Sequence, residues 1–267
     1  MSLAANRHQD DPIVRQLPTG SPEEAGAADA RRWSTVTGTR ARSYQEMVQA
    51  LAEEGLPALQ DKLSGLTPED WQRPTLLRPP EPGKPPWTVL QLAAHFEVFM
   101  GLTLGLVAEP LSAQPVVDRA SFYISVSDRA KVAPVIYQYI VDHAQGHTPA
   151  TILDKVKETF AQALEAIRTT PPETIGPGFF GPMRLEEFVA TRLVETRVHG
   201  LDLTDALGMA PLPMPRVTTM AAEVLEEVLA RRAVPGRPAD LAADDLAFVR
   251  AAAGRGQHPD PRLPIVG

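Results

Sequence analysis

The sequence predicts an all-α fold: a four-helix bundle with long crossover connections, then a small C-terminal helical annex. Three observations carry this reading. Between residues 43 and 208 apolar residues recur at helical spacing in long segments, and helix-start chemistry stands in front of several of them. Only one short stretch there, SFYISVS, alternates as a strand would.

Residues 1–42 are rich in Pro, Gly, Ala and charge, hold no sustained period, and read as an N-terminal arm, flexible or draped. Ser43 opens the first helix, because SYQE has the form of a capping box closed by Glu46. Met47, Val48, Leu51, Leu59 and Leu63 give it an apolar face, and Pro57 is expected to kink or break it near Gly55. LTPEDW, Leu66 to Trp71, reads as a short helix with Thr67 as its cap and Pro68 in its first turn. The proline-rich RPPEPGKPP that follows is restricted to extended conformations.

Thr88 and Gln91 form a second capping box and start a helix that runs to about Val107. Leu92, Val98, Phe99, Leu102 and Leu106 share one face of it, with His95 in the middle. The connection from 109 to 127 contains SFYISVS, read as a short strand or an extended loop from which Tyr123 lines a pocket. A helix over about 128–145 turns Val135, Ile136, Tyr139 and Ile140 inward. His143 and His147 flank its end, where the helix dipole favours them. Thr148 and Pro149 begin the next helix, to about Ile167. TTPPETIGPGFFGPM then predicts a hairpin or a pocket-edge loop.

The central helix spans 183–208 and ends on Gly208, suited to a C-cap. At 100° per residue, Phe188, Arg192, Glu195, His199 and Asp202 fall within roughly 80° of one another. Apolar side chains flank that stripe, Val194, Val198 and Leu201 on one side and Val189, Leu203 and Leu207 on the other. Arg197 and Thr204 stand opposite. The ionisable stripe therefore faces inward, where each charge must be paired, hydrogen-bonded or coordinated. Glu195 and His199, four apart, can reach one divalent ion, and the same spacing also suits a buried ion pair. His95 reads either as a core histidine or as a third partner for that pair. Beyond Gly208, PLPMP marks a linker into the annex, 209–267, with helices near 217–232 and 239–253 and an extended tail.

Composition narrows the function classes. The chain has 267 residues, 43% of them hydrophobic, enough for a full core. A net charge of −7 without a basic run argues against nucleic acid and anionic membranes as partners. No apolar run approaches the roughly 18 residues that span a bilayer, and the N-terminus has no apolar signal region, so the expected location is cytoplasmic. With no cysteine, the chain has neither a thiolate ligand nor a thiol nucleophile of its own. Gly-rich phosphate loops and GxSxG are also missing. Metal binding would have to use His, Asp and Glu.

LTPEDW, PPWTVLQLAAHF and GPMRLEEFVATRLVETRVHGLDLTDALG, in that order, resemble the DinB-like four-helix proteins. Among these the similarity is to the N-terminal-domain type of mycothiol-dependent maleylpyruvate isomerase, over about 43–208. The resemblance implies zinc, or another divalent metal, held by His95, Glu195 and His199 as the catalytic centre, with one position open to solvent. It places Arg192 and Asp202 one turn to either side, to orient ligands or bind substrate, with Tyr123 at the pocket wall. Members of this group are isomerases and S-transferases that use mycothiol or bacillithiol. The implied activity is a metal-dependent thiol S-transferase, holding a mycothiol-like thiol as a zinc-bound thiolate that attacks an electrophilic small molecule. Thiol exchange in natural-product biosynthesis or detoxification would be its setting. Three alternatives remain open: a maleylpyruvate-type isomerase, a metal-dependent hydrolase and a non-catalytic binding protein. The isomerase carries a larger C-terminal domain than the annex here. Oligomeric state is left open, a homodimer included.

Overall fold

Ser43 accepts the Glu46 N–H while the Glu46 carboxylate takes the Ser43 N–H, and this box starts α1 (Tyr44–Ala50). The computed structural model describes residues 43–126 and 129–266, so the expected N-terminal arm lies outside the described residues. The helix does not break before Pro57. It widens into a π turn (Leu51–Gly55) and continues as α2 (Leu56–Ser64), with the proline in the first turn, where its missing N–H costs little. A Cβ on Gly55 would sit 2.9 Å from Thr196 Cγ2, so the glycine also lets this turn press against the central helix.

LTPEDW forms a single 3-10 turn (Asp70–Gln72) rather than a longer helix. Thr75 and Arg73 then bond across to Trp87 and Val89, which fixes the start of α3 (Val89–Ala108) behind its Thr88/Gln91 box. The described part of SFYISVS, SFYISV, is helical, within α4 (Arg119–Val126), and not a strand or loop. The cause lies just upstream. The Asp118 carboxylate accepts the Ser121 N–H and the Ser121 hydroxyl accepts the Asp118 N–H, a helix cap that outweighs the local alternation. After α5 (Arg129–Gln145), the Thr148 cap opens α6 (Pro149–Thr169).

The TIGPGFFGPM stretch is a two-stranded antiparallel hairpin, β1 (Ile175–Gly178) and β2 (Gly181–Arg184), with Phe179 and Phe180 at its tip. It leads directly into α7 (Leu185–Leu207), capped by Gly208 at φ 64°. α3 packs along α6 and against α7, and the α1–α2 pair closes the bundle from the other side.

Residues 209–266 add α8 (Pro215–Arg232) and α9 (Asp245–Ala252) to the same core. Leu212 and Met214 of PLPMP are buried, and Val217, Leu225 and Leu229 are buried on α8. The face of α7 opposite the ionisable stripe is therefore covered as well. Arg197, expected on that outer face, is 1% exposed and donates Nη1–H to the Leu212 carbonyl at 2.8 Å. Burial, then the charge of Arg250, lowers its pKa to about 10. The tail, expected to be extended, packs back on the body: Ile265 and Val266 are buried, with both N–H groups on the Ala252 carbonyl.

One expectation about membranes is corrected. α3 is long and apolar enough, by length and composition, to cross a bilayer. In this fold it is the bundle's inner helix, and its polar positions are used: Glu97 meets His143 at 2.8 Å, and His95 faces α7.

Candidate metal centre

Two helices supply the site. His95 stands in the middle of α3, and Glu195 and His199 follow one another by a turn on α7, so packing α3 against α7 brings three side chains to one point. The two Nε2 atoms are 3.1 Å apart. Glu195 Oε2 lies 3.2 Å from His199 Nε2 and 3.7 Å from His95 Nε2. These are the candidate metal ligands, each offering an atom within 4.8 Å of the others. A tetrahedral ion with ligand bonds of about 2.0–2.2 Å would space its ligand atoms roughly 3.3–3.6 Å apart, so separations of 3.1, 3.2 and 3.7 Å fit a divalent ion after small side-chain shifts.

Surrounding groups set the orientation of each ligand. His199 Nδ1 meets Asp202 Oδ2 at 2.8 Å, which directs Nε2 toward Glu195 and His95. The Tyr123 hydroxyl donates to Glu195 Oε1 at 3.0 Å or to the Thr191 carbonyl at 2.9 Å, and leaves Oε2 facing the histidines. His95 is steered by rings, Trp87 at 5.3 Å and Phe99 at 5.7 Å. Its Nδ1 is buried with no hydrogen-bond partner among the described residues.

The electrostatics differ sharply within this small volume. Burial, then the charge of His199, lowers the His95 pKa to about 4, leaving a neutral imidazole with a lone pair to give. Burial pulls on His199 too, but the bonds to Asp202 and Glu195 outweigh it and raise its pKa to about 9. Asp202 is held down to about 2: burial opposes this, and Arg255 and His199 overcome it. Tyr123 is pushed well above its ordinary value by burial and by Glu195, so it remains a hydroxyl donor.

Arg192, expected to orient ligands or bind substrate, is 1% exposed and already engaged. Its Nη1–H donates to the Phe99 carbonyl at 2.6 Å, and Nε–H and Nη2–H reach the Thr191 hydroxyl at 3.2 and 3.0 Å. Its guanidinium lies 4.3 Å from the Phe188 ring centroid. What it gives the site is charge that offsets Glu195. Asp202 likewise faces other protein groups, His199 and Arg255. Arg255 is the residue sequence reasoning missed: it arrives from beyond α9, more than fifty positions from its partner, and no local pattern marks it.

The triad forms the floor of a cavity of about 610 Å³. Its walls come from the 76–80 connection, α3, α4, α5, the hairpin tip and the C-terminal segment around Pro264 and Val266.

A helical bundle with a His/Glu/His triad at the base of an open cavity defines this as a DinB-like four-helix protein with a candidate metal centre. The chain belongs to the mycothiol maleylpyruvate isomerase N-terminal domain family, whose family model matches residues 52–204. Two solved structures share the fold: the mycothiol-dependent maleylpyruvate isomerase and a histidine-to-alanine mutant of it, at TM-scores of 0.53 and 0.55. Each is 17% identical, and each match covers 80% of this chain and 90% of that chain. No curated protein matches the chain.

Proposed function

We propose that this protein is a metal-dependent enzyme that uses a low-molecular-weight thiol, mycothiol or a close analogue, as the nucleophile against an electrophilic small molecule. The observation that carries this reading is the His95, Glu195 and His199 triad opening into a cavity in a chain with no cysteine. When bound there, a divalent ion, zinc being the best match to two imidazoles and a carboxylate, supplies an open position at which a thiol loses its proton and is held as the anion.

The chain's own groups have distinct parts. His95, neutral through burial, would present a nitrogen lone pair to the ion, and His199, turned by Asp202, would present its own once its Nε2 proton is displaced. Tyr123 fixes the Glu195 carboxylate, and Arg192 balances its charge from behind. The apolar walls exclude bulk water from the bound nucleophile. A hydrolase would need a general base and a proton donor beside the floor, whereas a thiol, once deprotonated, needs neither. Tyr123, with its pKa raised, supplies no base.

S-transfer is the reading we favour, although an open cavity over the triad serves transfer and isomerisation alike. The isomerase reading is supported by the family and by the two solved isomerase structures that share the fold, and differs in that the thiol is released at the end. The deciding experiment incubates metal-loaded protein with an electrophile, with and without added thiol, and follows products by mass spectrometry. A stable thioether product supports transfer, and a rearranged product free of thiol supports isomerisation. Full-rate turnover in metal-loaded, thiol-free protein would overturn both.

A further inference from the structure

The charged groups around the cavity are already paired with one another. Asp202 is bonded to Arg255, and Asp205 to Arg250 at 2.7 and 2.9 Å. Arg192 donates three of its N–H groups to Phe99 and Thr191, and Arg255 donates a third N–H, from Nη1, to the Ala253 carbonyl. Arg78 is the other cation in the lining, and it is exposed at the rim, where solvent screens it. Between rim and floor the walls are apolar: Leu77, Phe99, Leu102, Ile136, Phe179 and Val198 come from five separate segments of the chain. Leu77, Leu102, Ile136 and Phe179 are only half-buried, so besides packing against the core they present apolar surface to the cavity.

We propose that the electrophile of this site is an uncharged, largely apolar molecule of aromatic size, and not a small dicarboxylate. The inference rests on the thiol-dependent reading above and adds the substrate class to it. Among the described residues, a carboxylate brought beside Leu102, Ile136 and Phe179 would shed water with no free guanidinium or ammonium on that wall to replace it, an uncompensated loss. An apolar ring would instead displace water from Leu102, Ile136 and Phe179 and stack beside Phe99. A cavity of about 610 Å³ is in the range that encloses a drug-sized ligand.

The test uses two rings that differ in one substituent, 4-chloro-3,5-dinitrobenzotrifluoride and 4-chloro-3,5-dinitrobenzoate. In each, the thiol sulfur bonds to the ring carbon that bears chlorine. The carbon–chlorine bond breaks, chloride leaves with its electron pair, and the thiol proton passes to buffer. Rates with metal-loaded protein and mycothiol are divided by the uncatalysed rate of the same pair, which removes intrinsic reactivity. Binding of the unreactive 4-amino analogues to thiol-free, metal-loaded protein is measured by calorimetry. The neutral ring should be favoured roughly tenfold or more in both readouts.

Leu102→Arg, which places a cation at mid-wall, should erase or reverse that preference without changing metal content. Equal or tighter binding of the carboxylate to the unaltered protein overturns the proposal, as does an unchanged preference in Leu102→Arg. The two readings fail separately. Discrimination in binding without any thiol transfer sinks the thiol-dependent reading and leaves the ligand class standing, whereas transfer that prefers the carboxylate sinks only the substrate class.

Discussion

Arg255 holds Asp202 by two parallel hydrogen bonds, Nε to Oδ1 at 2.8 Å and Nη2 to Oδ2 at 2.9 Å, and Asp202 Oδ2 also meets His199 Nδ1 at 2.8 Å. A residue after α9 thereby acts on a candidate metal ligand of α7 through one carboxylate. Asp202 is 4% exposed, so loss of its guanidinium partner strands a buried charge, at a cost of about 3–5 kcal/mol. Arg255→Gln should lower the melting temperature of metal-free protein and weaken metal binding by roughly 10–100-fold in chelator competition. Pairing it with Asp202→Asn should recover part of the stability, since no charge is stranded, and none of the metal affinity. If Arg255→Gln loses stability but binds metal as before, Arg255 serves the fold alone.

Purified protein should carry about one divalent ion per chain. His95→Ala and His199→Ala should each empty the site, because two remaining ligands do not hold such an ion against a chelator. Elemental analysis of both variants checks this, and full occupancy in both would reject the ligand set. His143→Ala is the control. Its ring is bonded to Glu97 at 2.8 Å, outside the triad, so metal content should not change.

The inward stripe of α7 was legible because helical periodicity alone puts Glu195, His199 and Asp202 together, and two capping boxes located α1 and α3 to the residue. What failed was whatever depended on chain distant in sequence. Arg197 falls opposite the stripe by periodicity, yet Leu212 and α8 cover it, and the number of buried faces on a helix is not written in its own residues. Arg255 reaches Asp202 only because the C-terminal segment folds back over the bundle. α4 was a different kind of miss, with the signal present: Asp118 and Ser121 form a cap, and the alternation of SFYISVS concealed it. For Arg192 the resemblance implies either orienting ligands or binding substrate, and its sequence position does not separate the two. The fold uses its donors on the Phe99 carbonyl and the Thr191 hydroxyl, an arrangement that depends on how α3 sits against α7.

Two glycines of the bundle should respond to alanine in opposite directions. A Cβ on Gly176 would lie 1.9 Å from the Leu106 carbonyl oxygen, a backbone atom that cannot yield without moving α3. Gly176→Ala should therefore push the hairpin off the helix and destabilise by about 1–3 kcal/mol. Since the same hairpin carries Phe179 into the cavity wall, KM for an apolar electrophile should rise while metal content is kept. Gly105, inside α3, has nothing within 4 Å of its would-be Cβ, and Gly105→Ala should stabilise by about 0.4–1 kcal/mol. Chemical denaturation of both variants decides it, and an equal effect at the two positions would count against the close approach at Gly176.

Acid should loosen α4 through Glu187. The Arg119 guanidinium forks onto this carboxylate at 2.7 and 2.8 Å, and the Arg119 N–H joins at 3.0 Å, so a helix N-terminus and a cation both favour its charged form. Burial raises the Glu187 pKa, but the bonds from Arg119 outweigh it and the net shift is downward. A carboxyl whose folded pKa is depressed gives stability that is complete above its unfolded value, near 4.5, and is lost as pH falls through the folded value. Glu227 opposes it: burial raises its pKa, so its cost is present at neutral pH and is relieved as it takes up a proton. Asp118, a third carboxylate of the cluster, is paired with Arg231 at 2.7 Å and shifts downward like Glu187, its hydrogen bonds overcoming burial. Glu187→Gln should cost about 2 kcal/mol at pH 7 and less at pH 3.5, because the unaltered protein has begun to lose the same contribution there. Glu227→Gln should raise stability at pH 7. Urea denaturation of the three proteins at both pH values is the measurement, and a Glu187→Gln penalty that is the same at pH 7 and pH 3.5 would show that its charge does not hold α4 to α7.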